Sequence, residues 1–341
     1  MTSAAGSATW SPVPMPNNES KETWPEGDAL TWQMVELVLL PLVMLIGVVG
    51  NCVVLYIYNC RLQSTTSSMI KRMLAMIDLS ACTVVNSLIM YLLLNKNSGI
   101  YQETCVFVSC FAVWTLNSGS CVLVVIAVDR FMRICLMRLT GVSTSLLQKL
   151  FAAFLLMSGL INIPCFWIFG KSTRYYPKYQ IKISHCFFRI ERLTSTLFRV
   201  YYAYTATFYV ACFLVLFFLY FKTTQTLYRH SNNRKVLFIP QSGDTSLSNL
   251  GTQQFDARSN IVMFVVVTTI YSVTNGVYII LVSIYFFDSE IQADMNPSFR
   301  AVYEVAKYGP MFTHIINPFI YSFVLPTFRK EVYHLIRKMF W

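Results

Sequence analysis

The chain has 341 residues, a net charge of +11 and a mean hydropathy of +0.51, with 55% hydrophobic, 15% aromatic and only 13% charged residues. A soluble globular chain carries about 25% charged residues, so roughly half the usual solvating charge is missing and a polytopic membrane protein is indicated. The basic surplus collects in the stretches that join alternate apolar runs, a pattern that argues against a nucleic-acid surface.

Residues 1–32 read as a mobile tail with Pro12, Pro14, Pro16, Pro25 and several acidic residues. They lack the apolar run with a basic flank that marks a cleavable signal peptide, so the first span is expected to act as its own insertion signal. Asn18-Glu19-Ser20 is the sole glycosylation sequon and makes Asn18 a candidate acceptor. Apolar runs long enough to cross a bilayer as helices are expected at residues 33–58, 68–94, 102–135, 145–169, 198–228, 257–287 and 300–323, with Pro164 near the outer end of the fourth. The stretch between the fourth and fifth runs, rich in Lys, Arg and Tyr, reads as a loop. Residues 229–254, polar with Gly, Ser and Asn, read as a loop flexible at its centre. After Pro326, the apolar Phe328, Val332, Leu335 and Ile336 share one helical face with basic residues around it, the pattern of a short amphipathic helix lying on the inner leaflet. The expected fold class is all-α: a seven-transmembrane helix bundle over 33–325, preceded by the tail at 1–32 and followed by the amphipathic helix and C-terminus at 326–341.

Charge sets the expected orientation. The stretches on the side of Asp129-Arg130 hold 16 Lys/Arg and 4 Asp/Glu, whereas the opposite side holds 11 of each. The positive-inside rule makes the Arg130 side cytoplasmic. The N-terminus with Asn18 is then extracellular, the C-terminus is cytoplasmic, and the protein is expected to be multi-pass in the plasma membrane.

Several groups sit where lipid would reject them. Asp129 and Arg130 end the third run, Asp78 lies inside the second, and Asn51 and Asn317 lie at comparable depth in the first and seventh. An ionisable residue at such depth is a functional hypothesis by default. Asn51 and Asn317 can be read as glue between helices with Asp78 protonated, or all three as one polar cluster. Pro318 frees a backbone carbonyl beside them and loosens its helix. His314 reads either as a hydrogen-bonded neutral core histidine or, if it lies near Asp78, as a proton sensor. Cys52, Cys60, Cys82, Cys121, Cys135, Cys165 and Cys212 fit small packing residues. Cys105 and Cys186 face an oxidising compartment. The four histidines are scattered (His185, His230, His314, His334), no metal-spaced set is present, and nothing suggests an enzyme. A channel or transporter, the alternative from another class, would need polar lining along several helices.

Gly50-Asn51 in the first run, Leu74-Ala75-x-x-Asp78 in the second, Asp129-Arg130-Phe131 ending the third and Asn317-Pro318-x-x-Tyr321 ending the seventh, followed by Phe328-Arg329, together resemble the rhodopsin-like G-protein-coupled receptors. The resemblance implies a receptor that binds an extracellular ligand and activates a heterotrimeric G protein, with arrestin and membrane lipids as further partners and no nucleic acid. It implies that Arg130 is held inside the bundle at rest and meets the G protein when active, with Asp129 as its adjacent counter-charge. Asp256 matches the acidic lock partner, or else caps its helix. Tyr220 and Tyr321 match two tyrosines that swing together on activation. Asn51, Asp78 and Asn317 match a sodium-linked polar cluster, making sodium a candidate ion. The family bridges the positions of Cys105 and Cys186; Cys110, about 7.5 Å deeper at ~1.5 Å per residue, competes for that bridge.

The chain also departs from the family. Val273-Thr274-Asn275-Gly276 stands where Cys-Trp-x-Pro is usual, the fifth run has no proline, and Gly119 and Thr313 replace polar groups that often complete a sodium shell. Met311 occupies the position of a retinal Schiff-base lysine and Ala112 that of an amine-binding aspartate, so neither retinal nor an amine ligand is expected. The expected ligand pocket comprises Ala112, Thr115, Leu116, Tyr202, Thr274, Tyr278, Glu304, Lys307, Tyr308 and Met311, with Lys307 a candidate cation for a carboxylate or phosphate. Above it, Lys171, Arg174, Lys178, Lys182, Arg189 and Arg192 form a basic stretch that is either neutralised by the acidic outer segments or free to act as a funnel for anions. The favoured ligand is a peptide, as for a neuropeptide receptor, or an anionic, amphipathic small molecule; the alternative is a chemosensory receptor for another small molecule.

Overall fold

The computed structural model describes residues 26–95, 98–137, 142–176, 181–193, 195–237, 245–287, 306 and 308–340. Helix α1, Glu26–Tyr56, ends in a π-helical turn, Ile57–Arg61. Helix α2, Thr66–Ser80, continues through a second π turn, Ala81–Val85, into α3, Asn86–Leu94. Next come α4, Tyr101–Ile134, and α5, Thr144–Ile161, which breaks at Asn162 before the short α6, Cys165–Ile168. Strands β1, Phe169–Tyr176, and β2, Ile181–Phe188, form an antiparallel hairpin. Helices α7, Thr196–Leu237, and α8, Thr245–Phe287, are long; α9, Gly309–Val324, and α10, Pro326–Phe340, complete the described chain.

Local chemistry explains the boundaries. Thr65 caps α2 by accepting the Ser68 N–H at 3.1 Å, and Ser143 caps α5 by accepting that of Leu146 at 3.2 Å. Pro164, which has no N–H to donate, follows the break after α5. Pro318 lies inside α9 and leaves one carbonyl of that helix without its usual donor.

Among the described residues, six helices are long and apolar enough to cross a membrane: Glu36–Arg61, Thr66–Leu94, Tyr101–Ile134, Thr144–Ile168, Thr196–Arg229 and Val262–Leu281. With α9 they make the seven of the bundle. The third is its axis, 61% of its most apolar stretch being buried against 11% for the fifth. The fifth instead turns Phe213, Phe217 and Phe221 outward in a stacked stripe, as a lipid-facing helix should. Glycines bring α1 close to its neighbours: a Cβ at Gly47 would collide with Cys82 Sγ, and one at Gly50 would stand 2.9 Å from Pro318 Cγ.

The structure corrects three expectations. Residues 26–32 are helical rather than tail. The supposed loop between the fourth and fifth spans is a hairpin: Ile181, Ile183, Phe187 and Phe188 are good strand formers, and Phe169 pairs with Phe188. The stretch 229–254 is helical up to Leu237 and again from Thr245. In addition, the second span contains a π turn that begins three residues after Asp78.

Candidate functional site

At the bundle centre, Pro318 cannot donate to the carbonyl four residues earlier, which belongs to His314. Asn51 Nδ2 donates to that carbonyl at 2.9 Å and to Gly47 O at 2.9 Å, and the Cys82 thiol approaches the His314 carbonyl at 3.9 Å. The His314 imidazole meets Asp78 across the helices, Nδ1 standing 2.8 Å from Oδ1, while Asn317 Nδ2 donates to Asp78 Oδ2 at 2.6 Å. Asn51, Asp78 and Asn317 are thus joined through His314, the histidine singled out in the sequence, which is buried, hydrogen-bonded and beside Asp78. All four side chains are buried. Beside them lies a cavity of about 20 Å³.

At the Arg130 end of the bundle, Arg130 Nη2 donates to Ser67 Oγ at 2.8 Å, and its guanidinium stands 5.2 Å from the centroid of Phe264 on α8. Lys71 Nζ donates to the same Ser67 hydroxyl at 3.1 Å and stands over Tyr58 at 5.1 Å and Phe264 at 5.8 Å. Asp129 is a weaker counter-charge to Arg130 than expected: it lies 3.8 Å from Arg130 Nε but takes Arg133 Nε on both oxygens at 3.1 Å. It also accepts the Val142 N–H at 3.1 Å, tying the end of α4 to the segment before α5. Phe131 is half-buried. Asp256 lies inside α8 rather than at its start, which removes the capping role; its side chain is outside the described residues. Tyr220 accepts from Thr268 Oγ1 at 3.4 Å, whereas Tyr321 packs edge-on against Tyr58 and Phe328. Ser67, Lys71 and Phe264 escaped the motif reading; the available signal was a lysine two helical turns from Asp78 on the same helix.

At the opposite end of the bundle, Cys105 and Cys186 form a disulfide that joins β2 to α4, and Cys110 is free. The hairpin roofs a cavity of about 60 Å³. Of the expected pocket, Leu116, Tyr202 and Tyr278 line it, together with Phe169 and Phe188 from the hairpin and Phe198 from α7. Ala112 and Met311 instead pack around the disulfide. The hydroxyls of Thr115 and Thr274 turn back to carbonyls of their own helices. Tyr308 is half-buried and does not line the cavity; Glu304 and Lys307 lie outside the described residues. The polar groups of the α7 wall are engaged elsewhere: Tyr201 donates to Asn162 Oδ1 at 2.9 Å, Tyr209 to Asn117 Oδ1 at 2.8 Å, and Thr205 to the Tyr201 carbonyl at 2.8 Å. Tyr202 pairs with Ser283. Asn162 is available for this because the helix breaks there.

A family model described as 7 transmembrane receptor (rhodopsin family) matches residues 50–321. The chain belongs to the rhodopsin family of seven-transmembrane receptors. The crystal structure of squid rhodopsin superposes on it with a TM-score of 0.71 at 16% identity, covering 93% of this chain and 88% of that one. No curated protein sequence matches it. This rhodopsin-family chain is a multi-pass membrane protein and a G-protein-coupled receptor, not an enzyme. Membership implies an extracellular ligand and a G-protein partner.

Proposed function

We propose that this receptor, its N-terminus outside, is activated by an amphipathic ligand that places an apolar or aromatic group in the roofed cavity and an anionic group against the basic hairpin. The observation that carries this is the cavity wall: its rings are uncharged and the hydroxyls of Tyr201, Thr205 and Tyr209 are bonded to the protein. A ligand acceptor placed against these hydroxyls would lose water without gaining a donor from them, which costs about 1–3 kcal/mol per group. Immediately outside, Arg189 follows the lining residue Phe188 and donates from Nε to the carbonyl of Phe169 at 3.0 Å, so a cation is held at the roof. Lys178 and Lys182 would extend the basic surface, but their side chains lie outside the described residues. On the inner side, Arg130 is the group proposed to meet the G protein, and arrestin is a second proposed partner.

The charge-free lining equally favours a second reading, a chemosensory receptor for a neutral apolar molecule. A library of acidic and neutral amphipaths, screened in cells with several G-protein biosensors, separates the two. For an acidic agonist, Arg189→Gln should raise the half-maximal concentration about tenfold, equivalent to ~1.4 kcal/mol. Ala206→Trp, which fills the cavity, should abolish the response. A neutral agonist indifferent to Arg189→Gln but blocked by Ala206→Trp supports the second reading. A hydrophilic or cationic agonist that tolerates Ala206→Trp overturns both.

A further inference from the structure

The family resemblance implies a sodium ion on Asp78 with Asn51 and Asn317. The residues present do not fit one. Both Asp78 oxygens already face nitrogen, His314 Nδ1 at 2.8 Å and Asn317 Nδ2 at 2.6 Å. Asn51 does not line the adjoining cavity: its amide nitrogen holds the carbonyls of Gly47 and His314, and its Oδ1, though without a protein partner, lies apart from that space. Thr313 does line it, yet gives its hydroxyl to the Pro310 carbonyl at 2.6 Å. The other walls are largely hydrocarbon, from Leu74, Leu116, Leu123, Val267 and Ile316.

Size decides the matter. A cavity of about 20 Å³ holds a single water. A hard cation needs a shell of oxygens, from the protein or from its own water. An ion here would keep no hydration. It would meet a carboxylate whose two oxygens each already hold a nitrogen, the Asn317 Oδ1 oxygen, which has no protein partner, an imidazole and alkyl groups. One water suits Asn317 Oδ1 better, because it can donate to that oxygen.

We propose that His314 takes the place of the cation: its imidazole is a built-in ligand for Asp78 that shuts sodium out and makes the resting state of this receptor independent of it. The same residue supplies the carbonyl orphaned by Pro318 and held by Asn51, so one position ties α9 to both α1 and α2. Only the imidazole is needed for exclusion. Replacing the side chain leaves the Asn51 bond to the backbone in place, frees Asp78 Oδ1 and enlarges the cavity. This holds whatever ligand the outer cavity takes.

The test uses the full-length receptor purified in detergent, with its melting temperature measured in sodium chloride and in choline chloride at equal ionic strength. Wild type should melt alike in the two salts. His314→Ser, which opens space and offers a hydroxyl oxygen, should become more stable in sodium by about 2 °C or more, and adding Asp78→Asn should remove that gain. Line broadening of the ²³Na resonance should appear with His314→Ser and not with wild type. A wild-type protein stabilised by sodium in an Asp78-dependent way overturns the proposal. So does a folded His314→Ser receptor that still ignores sodium, since another feature would then be the barrier. Should His314→Ser fail to fold, the wild-type comparison and His314→Asn decide by the same readings.

Discussion

Ser67 receives hydrogen bonds from both Arg130 and Lys71, and Phe264 lies under both basic groups. The ring belongs to α8, whereas Ser67 and Lys71 belong to α2 and Arg130 to α4, so three spans are held together at the Arg130 end of the bundle. A cation over an aromatic face is worth ~0.5–2 kcal/mol, enough to matter when the resting and active states differ by little. Phe264→Leu keeps an apolar side chain but removes the ring, and a bias of ~1.4 kcal/mol changes a minority population about tenfold. Basal signalling should therefore rise several-fold in Phe264→Leu at matched surface expression. Arg130→Ala should silence it in either background. Unchanged basal signalling in a G-protein biosensor assay would reduce Phe264 to a space-filling role.

The π turn after Asp78 and the proline in α9 are irregularities of two elements that meet face to face, and Gly47 and Gly50 let α1 press against both. Gly50→Ala would set a methyl 2.9 Å from Pro318 Cγ, and such overpacking costs about 1–3 kcal/mol. Gly276 provides the contrast. It stands where the family usually kinks its sixth span, α8 runs helically through it, and a Cβ there would meet nothing within 4 Å. Gly276→Ala should be neutral or add ~0.4–1 kcal/mol by restricting the unfolded chain. Thermal unfolding of the purified protein should thus separate the pair, with Gly50→Ala lower and Gly276→Ala equal or higher. The reverse order would mean that α8 must bend at Gly276 in the state being measured.

For the whole molecule, orientation follows from charge asymmetry, and it exposes a testable end. If the Arg130 side is cytoplasmic, Asn18 passes through the secretory lumen. The protein from mammalian cells should then shift in mobility on treatment with an N-glycosidase, and Asn18→Gln should remove the shift. An epitope placed before Asn18 should also stain intact cells. A tag reached only after permeabilisation would reverse the topology and, with it, the assignment of inner and outer sites.

Much of this receptor was legible before any coordinate. Scarcity of charge, seven apolar runs and the order of Gly50-Asn51, Asp78, Asp129-Arg130 and Asn317-Pro318-x-x-Tyr321 were enough for bundle and family, because each is a local property of a span or of its ends. The boundaries were less so. Residues 26–32 and parts of 229–254 are polar and still helical, since helices can continue beyond the apolar stretch that periodicity detects. The hairpin was hidden because its strands mix apolar with basic residues and carry no clean alternation; pairing of Phe169 with Phe188 and the bond from Cys186 to Cys105 hold it in place. Only the tertiary structure decided who meets whom. Asp78 and His314 are 236 positions apart in the chain, yet their side chains share a hydrogen bond. Lys71 joins Arg130 on one serine, and Asp129 turns mainly to Arg133. Such pairings depend on helix rotation, on two glycines that permit close approach and on a proline that frees one carbonyl, and these act only when the spans are packed together.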